Sequence, residues 1–463
     1  MSGQKKGLFG LTGKAKEHLI QQMLDKRNDT VQPEAPAPKN SRHSNIIGSV
    51  VPEKFTRFDK FSAYQKIMVQ KLAGESLKIA NPFFRVHTGV AGNTTVIDGR
   101  EYINFANYNY LDLCGHPDVS EAAHRAIEQY GTSVSASRLV AGERPVQHEL
   151  EEQLAKLHGV DDSLVFVSGH ATNVTSIGYL FGPRDLIIHD ALIHNSIIQG
   201  AQLSGAHRMS FPHNDWKALD EVLARSRREF ERVLVVIEGI YSMDGDIPDL
   251  ERFIEIKKRH RARLMVDEAH SYGVLGARGL GIGEHFDVKG EDVDIWMGTL
   301  SKTLASCGGY IAGQSALIEL LRFGAPGFLY SVGISPPAAA AALAALKVMQ
   351  DEPDRVKSLH QRGSLFLELA KKKGVNTGHS AGYSVIPALT GSSIKAVRLS
   401  NALLEHGIHV QPVIYPAVDE GLARLRFFIS CAHTEEQIRF TVDVLAAELG
   451  KLGVETDTGA EDE

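Results

Sequence analysis

RLMVDEAHS, residues 263–271, and VDIWMGTLSK, residues 293–302, decide how this chain folds. Each carries a short apolar run, Leu264–Val266 in the first and Ile295–Met297 in the second, and closes on polar residues. Strands that are apolar at successive positions are covered on both faces, as in parallel sheets. Three earlier stretches have the same form: SLVFVS at 163–168, DLIIHD at 185–190 and VLVVIEG at 233–239. Amphipathic helical stretches such as HELEEQLAKLHG at 148–159 alternate with these runs. Strand–helix alternation of this kind predicts an α/β fold with a mostly parallel, doubly wound sheet. Ligands of such sheets sit at the carboxyl ends of the strands. The polar residues of the five runs fall there: Ser168, His189, Asp190, Glu238, Asp267, His270 and Thr299.

Outward from this core the chain divides into five parts. Residues 1–50 form a basic arm and Pro-rich linker, with Lys5, Lys6, Lys14, Lys16, Lys26 and Arg27. Within it, Lys14–Arg27 has Leu19, Ile20, Met23 and Leu24 at helical spacing, and QPEAPAPKN reads as extended. Residues 51–108 are an N-terminal segment and 109–346 the large domain. In 347–450, helices and the strands SVIPALTG, HVQPVIYP and ARLRFFIS predict a smaller α+β domain; 451–463 is an acidic tail. A net charge of -6 disfavours a dedicated nucleic-acid binder. No apolar run approaches the roughly 18 residues of a membrane span, and the first residues lack a secretory signal's apolar stretch. Cys114, Cys307 and Cys431 are isolated, so a cytoplasmic protein without disulfides is expected.

Asp267 ends an apolar strand, where a carboxylate is poorly solvated and needs a partner. Lys302 follows the next strand. The two can be a simple ion pair, or they can hold pyridoxal phosphate, with the lysine on the aldehyde and the aspartate keeping the ring nitrogen protonated. VSGHATN at 167–173 supplies a Gly-containing turn that suits a phosphate. HDALIHNS supplies His189 and His194, and EGIYSMDGD supplies Glu238, Ser242 and Asp244. Either histidine alone also reads as a satisfied loop residue, and no histidine spacing suits a zinc site.

In this order the motifs resemble the α-oxoamine synthases, a pyridoxal-phosphate family that includes serine palmitoyltransferase and 8-amino-7-oxononanoate synthase. NYNYLDL, GTSVSASRLVAGE, VSGHATN, HNS, EGIYSMDGDIPDL, DEAHSYGVLGARGLG, GTLSKTLASCGGY, YSVGISPP and LARLRFFIS carry the resemblance from about Phe83 to Leu449. It implies the type I, aminotransferase-like fold and a homodimer with shared active sites. By resemblance Lys302 is the Schiff-base lysine, Asp267 the partner of the ring nitrogen, His270 the partner of the ring hydroxyl and His194 the residue stacked on the ring. Gly169, His170 and Thr299 belong to the phosphate site, Ser331 serves the neighbouring subunit's phosphate, and Glu238 and Ser242 lie near the cofactor. Asn109 lies near the substrate, and Arg426, with Arg424 ranked second, holds its carboxylate as a planar fork. Three departures bear on donor specificity: Ser133 in place of a glycine, His170 in place of an aromatic residue and Asp112 in place of a glycine.

The resemblance implies a decarboxylative condensation of serine, glycine or alanine with an acyl thioester, giving an α-amino ketone. NPFFRVH, the VSASRLV–GERP segment and the N-terminal KAKEHLIQQMLDKR stretch look most like oxoamine synthase domains of polyketide and peptide-synthetase lines. An acyl group on a carrier protein docked through residues 1–50 is therefore the expected donor. Serine palmitoyltransferase using long-chain acyl-CoA in sphingolipid synthesis is the alternative, and an aminotransferase or aldolase would use Lys302, Asp267 and Arg426 too.

Overall fold

The computed structural model describes residues 51–453. The basic arm and nearly all of the acidic tail lie outside the described residues. At the centre is a seven-stranded sheet of β1 (Asp162–Phe166), β2 (Leu186–Asp190), β3 (His207–Phe211), β4 (Val233–Glu238), β5 (Arg263–Asp267), β6 (Ile295–Thr299) and β7 (Gly309–Gly313). Its spatial order is β1-β7-β6-β5-β4-β2-β3. All pairings are parallel except those of β7, which runs antiparallel to both neighbours. All five apolar runs become strands of this sheet.

Alternation of side chains across the pleat explains why those runs are apolar throughout. In β4, Val233, Val235 and Ile237 enter one core, while Leu234 and Val236 enter the other. In β5, Leu264 and Val266 face the first core and Met265 the second. Helices Pro117–Tyr130 (α1), Pro145–His158 (α2), Gly169–Leu180 (α3), Asn195–Ser204 (α4) and Pro336–Asp351 (α5) form much of the two covering layers. The HELEEQLAKLHG stretch is α2, closed by Gly159 in the left-handed conformation at φ 66°.

The carboxyl-terminal region builds an antiparallel sheet from β8 (Val385–Leu389), β9 (Gln411–Val413) and β10 (Arg424–Phe428), with β10 central. Ile408–His409 leaves this region and pairs in parallel with Arg100–Asn104. Phe428 N–H donates to the Phe105 carbonyl at 3.0 Å and Cys431 N–H to that of Tyr110 at 2.8 Å. These bonds hold the 105–110 stretch beside β10 at the edge of the cleft. Among the described residues no helix is long and apolar enough to cross a membrane.

Candidate active site

The strand ends converge as the sheet topology requires. Glu238 and Asp267 are register partners at the ends of β4 and β5. Asp267 is almost wholly buried; its Oδ2 accepts from Asn173 Nδ2 at 2.9 Å and its Oδ1 from Ala269 N–H at 3.0 Å. The Asn173 amide also donates to Ser196 Oγ at 2.9 Å, and that hydroxyl lies 2.7 Å from His194 Nδ1. His194 is the N-cap of α4 and accepts from Ser196 N–H at 3.3 Å. One amide thus connects Asp267 to the His194 ring.

Lys302 follows β6, with its Nζ 5.5 Å from the centre of the Tyr108 ring. Burial lowers its pKa to about 8, against the opposing pull of Asp267 and Glu238. Burial, reinforced by Asp267, pushes the Glu238 carboxyl up to about 8, with the Ser242 N–H pulling the other way. Burial lowers the pKa of His194 and, with Lys302 and Arg426 nearby, holds that of His270 well below the usual histidine range. Tyr110 Oη is 2.7 Å from His270 Nδ1. A hydroxyl donating there leaves the proton of the neutral ring on Nε2. Phe428 lies nearly parallel to the His270 ring, at 11°.

Close backbone packing shapes the turn at 168–170. Ser168 caps α3 by accepting from Ala171 N–H at 3.1 Å. A Cβ on Gly169 would sit 3.0 Å from Thr299 Oγ1, and one on Gly309 would sit 2.6 Å from Gly169 Cα. The N-terminus of α3 and the Thr299 hydroxyl, which donates to the Gly308 carbonyl at 3.1 Å, therefore line one small cradle. His170 stands exposed at its rim, 3.2 Å from Gln199 Oε1 and edge-on to His194.

The two arginines of β10 differ. Arg424 is buried in an ion pair with Asp244 at 2.6 Å and also donates to the carbonyls of Met243 and Leu422. Arg426 rests on Phe428, donates through Nη1 to the Ser242 carbonyl at 2.9 Å and to Met243 Sδ at 3.3 Å, and keeps a buried Nε without a partner. Of the two, Arg426 retains donors for a ligand. Ser242 N–H donates to Glu238 Oε2 at 3.1 Å. Asn109 is committed to its own loop: Oδ1 accepts from Leu113 and Cys114 N–H, and Nδ2 donates to the Ala91 carbonyl. Ser331 lines a small cleft with Arg138 and Val167, its hydroxyl 3.2 Å from the Val332 carbonyl. Among the described residues no cluster of His, Cys, Asp and Glu could hold a metal.

Sequence reasoning passed over Asn173, Ser196, Tyr108 and Tyr110 as individual residues, although each lies inside a motif quoted for the resemblance. The signal was the polar residue one helical turn past a strand-end glycine turn, as Asn173 is to Gly169.

Known proteins resemble this chain over most of its length. Residues 100–445 match the family model described as aminotransferase class I and II. 8-Amino-7-oxononanoate synthase of Thermosipho melanesiensis is 38% identical over 372 residues, 80% of this chain and 94% of that protein. The 4-hydroxy-2,2'-bipyrrole-5-methanol synthase PigH of a Serratia species is 36% identical over 364 residues, 79% of this chain and 55% of that protein. Serine palmitoyltransferase of S. paucimobilis, solved with pyridoxal phosphate and myriocin, superposes with a TM-score of 0.81 at 28% identity, covering 85% of this chain and 99% of that one. The chain belongs to the α-oxoamine synthase family. As a member of that family it is a pyridoxal-phosphate-dependent acyltransferase with the type I fold, and its reaction class is decarboxylative condensation. The residues present fit the cofactor: a held, buried carboxylate, a neighbouring lysine of lowered pKa and a glycine cradle.

Proposed function

We propose that this α-oxoamine synthase condenses a small amino acid (serine, glycine or alanine) with a carrier-protein-bound acyl thioester, releasing carbon dioxide and an α-amino ketone. The observation that carries the amino-acid half is Arg426, whose buried Nε lacks a partner beside Asp267, Lys302 and His194. When bound, pyridoxal phosphate supplies an aldehyde for amine attachment and a ring that accepts the electrons of a carbanion.

The chain's own residues do the rest. Lys302 holds the cofactor and moves the proton at the substrate's α-carbon; a pKa near 8 suits both tasks. Asp267, fixed by Asn173 and the Ala269 N–H, keeps a proton on the pyridine nitrogen. His270 would offer its Nε2–H to the ring hydroxyl, because Tyr110 occupies Nδ1. His194 would stack on the ring, and Glu238 and Ser242 would lie near it. Gly169, His170 and Thr299 seat the phosphate, and Ser331 completes the phosphate site of a second copy in a homodimer. Arg426 grips the substrate carboxylate, Arg424 props the 242–244 loop, and Asn109 shapes the substrate side through its loop.

Carrier docking through residues 1–50 is supported by the segregation of positive charge there, which suits an acidic carrier. A panel of amino acids against acyl-CoA and carrier-bound donors, read by mass spectrometry, tests the assignment. Deleting residues 1–47 should weaken turnover with carrier-bound donors alone; equal loss with both donor types removes the docking role. An aminotransferase or aldolase would react with amino acid alone and release no carbon dioxide when the thioester is added.

A further inference from the structure

Beyond the strand ends, two loops that shape the cleft are joined by one histidine. His213 sits in the turn after the edge strand β3, away from the Lys302 and Asp267 pair. Its Nδ1 lies 2.9 Å from Asp190 Oδ1 and its Nε2 lies 2.8 Å from Asp246 Oδ2. Asp190 ends β2 and opens the loop that carries His194, and Asp246 closes the EGIYSMDGD loop. Neighbouring residues repeat the bridge. Asn214 N–H donates to Asp190 Oδ2 at 2.8 Å and the Asn214 amide to Asp246 Oδ2 at 2.6 Å.

Both loops are in turn wired to the site. Asp190 Oδ1 also accepts from Leu192 N–H at 2.8 Å, which sets the path to His194. Tyr241 N–H donates to the Asp246 carbonyl at 3.0 Å, closing a tight loop. That loop presents the Ser242 and Met243 carbonyls to Arg426 and Arg424. Edge-on packing of the His213 ring against Tyr241, with centroids 4.5 Å apart, sets its plane. Two ring N–H groups meeting two carboxylates require the imidazolium form. Burial alone would lower the pKa of His213, but the bonds to Asp190 and Asp246 outweigh it and raise it to about 10.

We propose that His213 is a positioning residue, a cationic clamp between Asp190 and Asp246 that holds the His194 loop and the Arg426-binding loop at one spacing for the amino acid. This rests on the reading of Arg426 and His194 as amino-acid contacts. The test uses the holoenzyme and follows the absorbance change on adding amino acid without thioester. His213→Gln should weaken amino-acid binding about tenfold, in line with the loss of one hydrogen bond between charged groups. Its KM for the thioester should stay within about twofold, since the clamp serves the amino-acid loops. His213→Arg, which keeps a cation between the carboxylates, should recover most of the loss. Asp246→Asn should reproduce the Gln phenotype, and the double variant should be no worse than either single one. The thermal melt and the cofactor dissociation constant of each variant are measured alongside. Unchanged amino-acid binding in folded His213→Gln, strictly additive losses, or equal weakening of both substrates would each overturn the clamp. Failure of the underlying reading shows separately, as an Arg426→Ala enzyme that binds amino acid as tightly as its parent.

Discussion

Asn173 donates to Asp267 Oδ2 at 2.9 Å from the first turns of α3, and through the same amide to Ser196 beneath His194. Replacing it with Ala leaves a buried carboxylate short of a donor, at about 1–3 kcal/mol. Asn173→Ala should therefore weaken cofactor affinity and slow turnover while the far-ultraviolet circular dichroism holds. Asn173→Asp, which sets a second carboxylate against Asp267, should be worse. Fluorescence titration of the apoprotein with pyridoxal phosphate separates the two, and equal affinities for all three proteins would refute the role.

Glu238 stands beside Asp267 with its pKa raised to about 8, so the folded protein keeps a proton that the unfolded chain releases near pH 4.5. Its stabilising contribution is complete below that unfolded value and is lost as pH rises through about 8. Glu238→Gln lacks this loss. Melting temperatures of the two proteins from pH 5 to 9 should diverge in favour of Gln until about pH 8 and then run parallel. A constant difference would contradict the assignment.

Gly309 lets β7 pass against the start of α3, and an Ala Cβ there would meet Gly169 Cα and Thr172 Oγ1, both at 2.6 Å. Gly309→Ala should displace the 168–170 turn and reduce cofactor affinity by an order of magnitude or more, a shift of about 1.4 kcal/mol or larger. Equilibrium dialysis measures it.

His433 is buried, stacked on Phe105 with centroids 4.2 Å apart, and accepts from Ser430 N–H at 2.9 Å. Burial depresses its pKa to about 4. The unfolded chain protonates this residue below about pH 6.5 while the folded one does not, so stability falls on acidification between those values. Relative to His433→Gln, the parent should lose about 1.2 kcal/mol between pH 6 and pH 5. Urea titrations of both proteins at each pH give the difference directly.

Five strands of the large sheet were legible because they are apolar on both faces, a pattern that few other elements share; β3, HRMSF with four of its five positions exposed, carries no such mark. The antiparallel course of β7 was not legible, since GYIAG carries no mark of direction and the reversal arises from the short return after β6. Lys302 and Asp267 stood out because a charge at the end of a buried strand demands an explanation. Asn173, Ser196 and Tyr110 did not, because a polar residue inside a helix or beside a loop is ordinary until its partner is known. Asn109 shows the converse: its motif is recognisable, but its bonds to Leu113 and Cys114 N–H and to the Ala91 carbonyl are not announced by it. His213 escaped notice because Asp190 and Asp246 lie 56 residues apart in sequence and meet only where β2 and β4 are neighbours.

Lys302 belongs to a closed ring rather than to an open loop. Thr299 and Gly309 are register partners across the β6–β7 ladder, and Leu300 N–H and the Thr299 hydroxyl both donate to the Gly308 carbonyl. Ser306 N–H donates to the Leu300 carbonyl within it. A lysine in such a ring has its reach set by ring size, so natural or engineered length change cannot be absorbed there. Connections that return through helices are not closed in this way and can lengthen without moving the Lys302 amine.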